Sequence, residues 1–174
     1  AIGSQSTALG YFSKASGFAS TAFGSGTVAE GGGATAMGVQ TSAGGAFATA
    51  MGYKTSAAGQ NSLAAGSETI AGAFAAVATG VLTRANGYAS VAMGYRARAL
   101  HNGSFVWADQ QAVDFDSTAA NQFAIRAGGG FYLDGRPGVG TSAPEYPLEV
   151  QADQAVGRFT TTESANGAVL SLRN

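Results

Sequence analysis

A fourteen-residue period runs from residue 1 to about residue 100 and dictates most of what this chain can fold into. Gly10, Gly24, Gly38, Gly52, Gly66, Gly80 and Gly94 form an unbroken column. Two positions earlier stand Ala8, Ala22, Ala36, Ala50, Ala64, Ala78 and Ala92. A third column holds Ala1, Ala15, Ala29, Ala43, Ala57, Ala71, Ala85 and Ala99, and beside it run Gly3, Gly17, Gly31, Gly45, Gly59 and Gly87, with Ala73 interrupting. Each fourteen is therefore two sevens, written roughly Ser/Thr-x-Ala-x-Gly-x-x.

Seven is also the coiled-coil period, but heptads need large apolar residues at two positions. Here the repeated residues are Ala and Gly, and each interior Gly costs a helix about 1 kcal/mol. Within each unit the alternation has period two: Ser/Thr, Ala and Gly face one way and the two x residues face the other. Five residues of strand and a two-residue bend account for seven, with glycine the cheapest residue for a bend of positive φ. Two strands and two bends make a coil, and coils stacked at about 4.8 Å give a rod of about 34 Å over seven repeats. The expected fold is all-β, a parallel β-roll or solenoid of 14-residue coils. Its interior column is Ala8, Ala22, Ala36, Ala50, Ala64, Ala78 and Ala92. An interior of such small residues buries little apolar area, so a lone roll is marginal.

The large apolar residues fall outward in one half of the repeat. Leu9, Phe23, Met37, Met51, Val77, Val91 and Met93 lie there, and none of the fourteen outward strand residues of that half is charged. The equivalent positions of the other half include Lys14, Glu30, Arg84 and Arg98. A long contiguous apolar face marks an oligomer interface. Those seven residues are the expected subunit contact, with rolls side by side and the apolar face on the symmetry axis.

Composition excludes several alternatives. Of 174 residues 27 are glycine but only 3 are proline, which is not collagen. With 45% apolar residues and a net charge of −1, neither disorder nor charge-steered nucleic-acid binding is expected. There is no cysteine, hence no disulfide, thiolate metal site or thiol nucleophile. The single histidine, His101, excludes sites needing two. No apolar run approaches the roughly 20 residues of a membrane span, so this segment is not expected to insert. The chain starts inside the repeat with no signal peptide and reads as a piece of a longer one.

Ser-Thr-Ala-Phe-Gly at 20–24, Ala-Thr-Ala-Met-Gly at 34–38 and 48–52, and Ser-Val-Ala-Met-Gly at 90–94 resemble the head repeats of YadA-like trimeric autotransporter adhesins. The resemblance covers about residues 1–108. It implies a left-handed roll, three copies in a homotrimeric head, and adhesion at the bacterial surface to host cells, matrix or other surfaces through an unknown protein or glycan. At 101–108 the pattern changes: His101 and Ala108 replace Gly, and Val106 replaces Ala. Phe105 and Trp107 are the expected closing coil.

Residues 109–174 carry no repeat and are expected to be a β-rich neck or connector, cut short at Leu170-Ser171-Leu172-Arg173-Asn174. Gln122-Phe123-Ala124-Ile125-Arg126-Ala127 alternates like a strand, and Gly128-Gly129-Gly130 would turn it into Phe131-Tyr132-Leu133 as a hairpin. Gly138-Val139-Gly140-Thr141-Ser142-Ala143-Pro144 followed by Leu148-Glu149-Val150 is similar to a linker of phage tail fibres and related surface proteins. It keeps open the alternative of a tail-fibre segment, a spacer or receptor-binding tip on a virion.

No constellation supports catalysis, cofactor or metal binding. Gly138-x-Gly140-x-x-Ala143 resembles a dinucleotide fingerprint, but Pro144 and Pro147 follow in place of a helix. Asp109, Asp114 and Asp116 match no calcium loop and read as a solvated acidic turn. Asp114/Asp116 is the only close carboxylate pair that a glycan-cleaving enzyme could use. His101 has no evident partner and reads as a capping-layer residue. The ladder Thr27, Thr41, Thr55, Thr69 and Thr83 occupies an inward-type position, which argues against ice binding. Lys14, Arg84, Arg96 and Arg98 could form a stripe for acidic glycans, but Val28, Ser42, Ser56 and Ile70 break it, and a solvated face is expected. The bend aromatics Tyr11, Tyr53 and Tyr95, with Phe18, Phe74 and Tyr88, are expected to pack on a neighbouring subunit rather than on ligand.

Overall fold

A computed structural model describes residues 1–132, residue 134, and the short strands Gly138–Val139 and Glu149–Val150. The chain forms two units, Ala1–Gly129 and Gly130–Asn174.

The first unit is a parallel β-solenoid. One sheet has nine strands in sequence order: Thr7–Leu9, Thr21–Ser25, Thr35–Val39, Thr49–Tyr53, Leu63–Ser67, Val77–Val81, Val91–Tyr95, Phe105–Ala108 and Phe123–Arg126. The facing sheet has eight shorter ones: Lys14–Ala15, Val28–Ala29, Ser42–Ala43, Ser56–Ala57, Ile70–Ala71, Arg84–Ala85, Ala97–Ala99 and Phe115–Asp116. Every pairing is parallel and joins equivalent residues of successive coils, as in Ala36↔Ala50 and Ala43↔Ala57. The interior is built of small side chains. Ala22, Ala36, Ala50, Ala64, Ala78 and Ala92 are fully buried, whereas Ala8, in the first coil, is partly buried. Thr27, Thr41, Thr55, Thr69 and Thr83 also point inward and are buried.

The two halves of the coil are not the equal five-residue strands expected. On the short side the ladder stops early because one carbonyl takes two donors: Ser16 and Gly17 N–H both bond Ala29 O. Where a serine follows this bend, its buried hydroxyl closes the turn, as Ser20 Oγ donates to Gly17 O at 2.8 Å and Ser90 Oγ to Gly87 O at 2.7 Å.

Glycine also does a different job from the one expected. The left-handed bend residues are mostly not glycine: Gln40, Lys54, Glu68, Leu82 and Arg96 on one side, and Ala19, Phe47, Asn61, Ala75 and Ala89 on the other, all have φ between 50° and 58°. Hydrogen bonds to the preceding coil hold them there, such as Lys54 N–H to Val39 O at 2.9 Å and Arg96 N–H to Val81 O at 3.0 Å. The column through Gly52 is half-exposed rather than interior. It must be glycine because φ is +116° at Gly52 and a Cβ there would lie 2.0 Å from Gly66 O in the next coil.

The roll does not close at residue 108. Phe123–Arg126 pairs with Phe105–Ala108 and Phe115–Asp116 with Ala97–Ala99, each partner 18 residues on rather than 14. The strand expected to start a hairpin is thus a further coil. Phe131 and Tyr132 are not in a strand, and Leu133 lies outside the described residues. Phe105 and Trp107 are not a cap. They stand in register with Val91 and Met93, pointing outward, while Val106 between them fills the interior. Phe115 and Ala124 pack partly buried against the end of the core.

In the second unit Gly138–Val139 pairs in parallel with Glu149–Val150. The rest of the tail-fibre-like linker and the terminal Leu170-Ser171-Leu172-Arg173-Asn174 lie outside the described residues.

Candidate functional site

A parallel strand sends alternate side chains to opposite faces, so all chemistry not used for the small core is displayed on the outside of the roll. The outer face of the long sheet is apolar along its length. Leu9 is 60% exposed, Phe23 53%, and Met37 and Met93 each 37%, while Met51, Val77 and Val91 are half-buried on the same face. The coils beyond the repeat extend it with Phe105, Trp107, Phe123 and Ile125, and the Phe105 and Phe123 rings stack at 4.9 Å.

The bends carry exposed aromatics. Phe74 and Tyr88, in successive coils, stack at 5.0 Å with 11° between their planes. Tyr11 and Phe12 meet edge to face at 4.2 Å. Tyr53 and Tyr95 end their long-sheet strands, and the Lys54 ammonium lies 5.1 Å from the Tyr53 ring centre.

The acidic stretch is not a free solvated turn. Arg96 Nε donates to Asp114 Oδ1 at 2.8 Å, Arg98 donates to Asp114 Oδ2, and Arg98 Nε lies 3.2 Å from Asp116 Oδ1. The Arg98 hydrogen bond, helped by Arg96, holds the Asp114 carboxyl below its ordinary range. A general acid for glycoside cleavage needs the opposite shift. Asp109 joins the coils on either side of the four-residue expansion. Arg126 Nε donates to its Oδ1 at 3.0 Å and the Gly128 N–H to its Oδ2 at 2.6 Å. Arg126 also donates to Val113 O and Gln111 O, and its guanidinium lies 5.2 Å from the Phe115 ring centre. His101 does have a partner: its Nδ1 is 2.8 Å from Ser117 Oγ, which also accepts the Leu100 N–H. Among the described residues no three acidic or histidine side chains gather as a metal site, and no helix is long and apolar enough to cross a membrane.

The Asp109 contacts carry a pH dependence of definite sign. The Gly128 N–H foremost, then Gln111 and Arg126, lower its pKa from 3.8 to about 2 in spite of burial. A depressed carboxyl stabilises the fold above its unfolded pKa and loses that contribution as pH falls through the folded value. Trp107 fluorescence, from the chain's single tryptophan, is expected to change between about pH 4 and pH 2. Asp109→Asn is expected to reduce that change, the remainder coming from Asp114, whose carboxyl is lowered too. A titration identical in the variant would show that this carboxylate does not hold the terminal coils.

A stack of coils with a core of alanine, an apolar outer sheet and bends that carry exposed aromatic and charged side chains is a parallel β-solenoid repeat protein. The YadA head domain repeat model matches residues 1–27, 15–41, 29–55, 43–69, 71–97 and 85–105, more than half of the chain. The chain belongs to the YadA head family. Heads of this family are homotrimeric in general and serve surface adhesins. No curated protein sequence matches the chain.

Proposed function

We propose that this chain is the head of a non-enzymatic, homotrimeric adhesin that stands outside the bacterial cell and binds host cells, matrix or other surfaces. Leu9, Phe23, Met37, Met51, Val77, Val91 and Met93 pack around the three-fold axis, leaving the short sheet and the cations at its edge for ligand. The observation that carries this reading is the uncharged apolar face along the long sheet, too extended for a monomer to leave in water. Three copies hold weak sites together, and linked weak sites gain from effective concentration.

The test is the mass in solution by light scattering, at micromolar and nanomolar concentration, with retention on host-cell and matrix-coated surfaces. Three times 17.2 kDa at both concentrations, with retention on at least one surface, is the expected result. A folded monomer, or a trimer retained by no surface, overturns the adhesive head. The second outcome would favour the rigid spacer of a phage tail fibre, the reading that the similarity of 138–150 to fibre linkers suggests.

A further inference from the structure

Two adjoining hollows on the roll share Leu82 and Arg84. One, of about 270 Å³, is lined by Lys54, Glu68, Ile70, Leu82, Thr83 and Arg84. The other, of about 170 Å³, adds Arg96, Arg98 and Asp114. They combine two columns that stand two residues apart in each repeat. Arg84 and Arg98 are register partners on the outer side of the short sheet. Lys54, Glu68, Leu82 and Arg96 are successive left-handed residues of one bend.

Three observations point to an anionic ligand. Lys14, Lys54, Arg84, Arg96, Arg98 and Arg126 are the cations among residues 1–132, and four of these six line the joined hollows. Asp114 engages Arg96 and Arg98, whereas Arg84 and Lys54 have no ion-pair partner among the described residues. The bend also displays long side chains at a backbone cost. Gly26 occupies the same left-handed position, where an added Cβ would meet only ordinary contacts, the nearest being Gln40 Cγ at 3.7 Å, yet Lys54, Glu68, Leu82 and Arg96 stand where glycine would be unstrained. The left-handed backbone itself recurs at Ala19, Ala75 and Ala89 on the other bend, so what sets this bend apart is the long side chains it carries.

We infer that this groove binds an acidic polysaccharide, its carboxylate or sulfate groups on Arg84 and Lys54. Lys54 and Arg96 stand three coils apart, about 14 Å along the roll, so one small anion cannot reach both and a chain of repeated charges can. Ile70 and Leu82 between the cations offer apolar patches to the carbon faces of sugar rings. The groove lies on the short sheet and the adjoining bend rather than on the outer face of the long sheet, so a trimer axis along that face does not run through it. As the ligand class of the adhesive head, it rests on that reading.

The test compares wild type with Arg84→Ala/Lys54→Ala on heparin (sulfated) and on polysialic acid (carboxylated), with polyglutamate as a peptide of like charge. Lys14→Ala, whose lysine pairs with Glu30 outside the groove, is the control. Wild type is expected to bind at least one of the two glycans in a salt-sensitive way. The double variant is expected to lose about tenfold in affinity, the product of two exposed ion pairs, and the control nothing. No binding to either glycan, equal binding by the double variant, an equal loss in the control, or polyglutamate bound as tightly overturns the proposal. The two readings also fail separately. A wild-type chain held as firmly by cells stripped of acidic glycans as by untreated cells overturns the groove and leaves the adhesive head. A chain held by heparin through Arg84 but by no cell surface overturns the adhesive head and leaves the groove.

Discussion

Gly52→Ala is expected to destabilise the roll by about 3–5 kcal/mol, while Gly44→Ala is expected to change stability by less than about 1 kcal/mol. Both glycines lie mid-roll, and both substitutions add one methyl group. The difference lies in where that methyl goes. At Gly52 φ is +116°, and the Cβ would lie 2.0 Å from Gly66 O and 3.0 Å from Gly66 C. No side chain can yield there, because the obstacle is the backbone of the next coil. The coils would have to part against the parallel ladder joining Thr49–Tyr53 to Leu63–Ser67. At Gly44 the nearest atom to a Cβ is Ala58 Cα at 4.0 Å, an ordinary contact. Equivalent positions carry Ser16, Glu30, Ala58, Asn86 and Leu100. Urea unfolding of the two variants beside wild type makes the comparison. Equal midpoints would mean that glycine in this column is not needed for coil spacing. Stability in a stack is nearly a sum of coil and nearest-neighbour contributions, so a break at Gly52 should also separate the unfolding of the two flanking segments.

The fold was legible because the coil leaves so few choices. Through the regular coils an interior this narrow holds only Ala, Ser, Thr and Gly, and that restriction recurs every fourteen residues until Val106 enters in the coil after them. What escaped the sequence has identifiable causes. The unequal halves of the coil depend on Ala29 O taking two N–H groups, which the near-identical heptads do not reveal. The last coil was missed because its period is 18, although Phe105-x-Trp107 and Phe123-x-Ile125 repeat the same alternation. Asp114 read as solvated because its partners stand 16 and 18 residues away. The basic stripe looked broken because Val28, Ser42, Ser56 and Ile70 interrupt the short-sheet column, and Lys54 of the neighbouring bend column was not counted with it. The two columns stand two residues apart in each repeat, and the coil stacks Lys54, Arg84 and Arg96 of successive repeats beside one another.

Phe23→Asp and Met51→Asp are each expected to convert a species of three times 17.2 kDa into one of 17.2 kDa. In the proposed trimer each substitution places three carboxylates near the axis, between apolar neighbours: Leu9 and Met37 flank Phe23, and Met37 and Ala65 flank Met51. Burying an unpaired carboxylate costs several kcal/mol even after relaxation, and three like charges at one level repel. The roll itself offers no relief, since Phe23 and Met51 point away from its alanine interior. Ser42→Asp makes the same chemical change on the short sheet and is expected to leave the mass at three subunits. Because a lone roll buries only small side chains, dissociation should also lower the melting temperature and make it concentration-dependent. Trimers with unchanged melting in both long-sheet variants would move the subunit interface off the long sheet. Loss of the trimer in Ser42→Asp alone would put it on the opposite face.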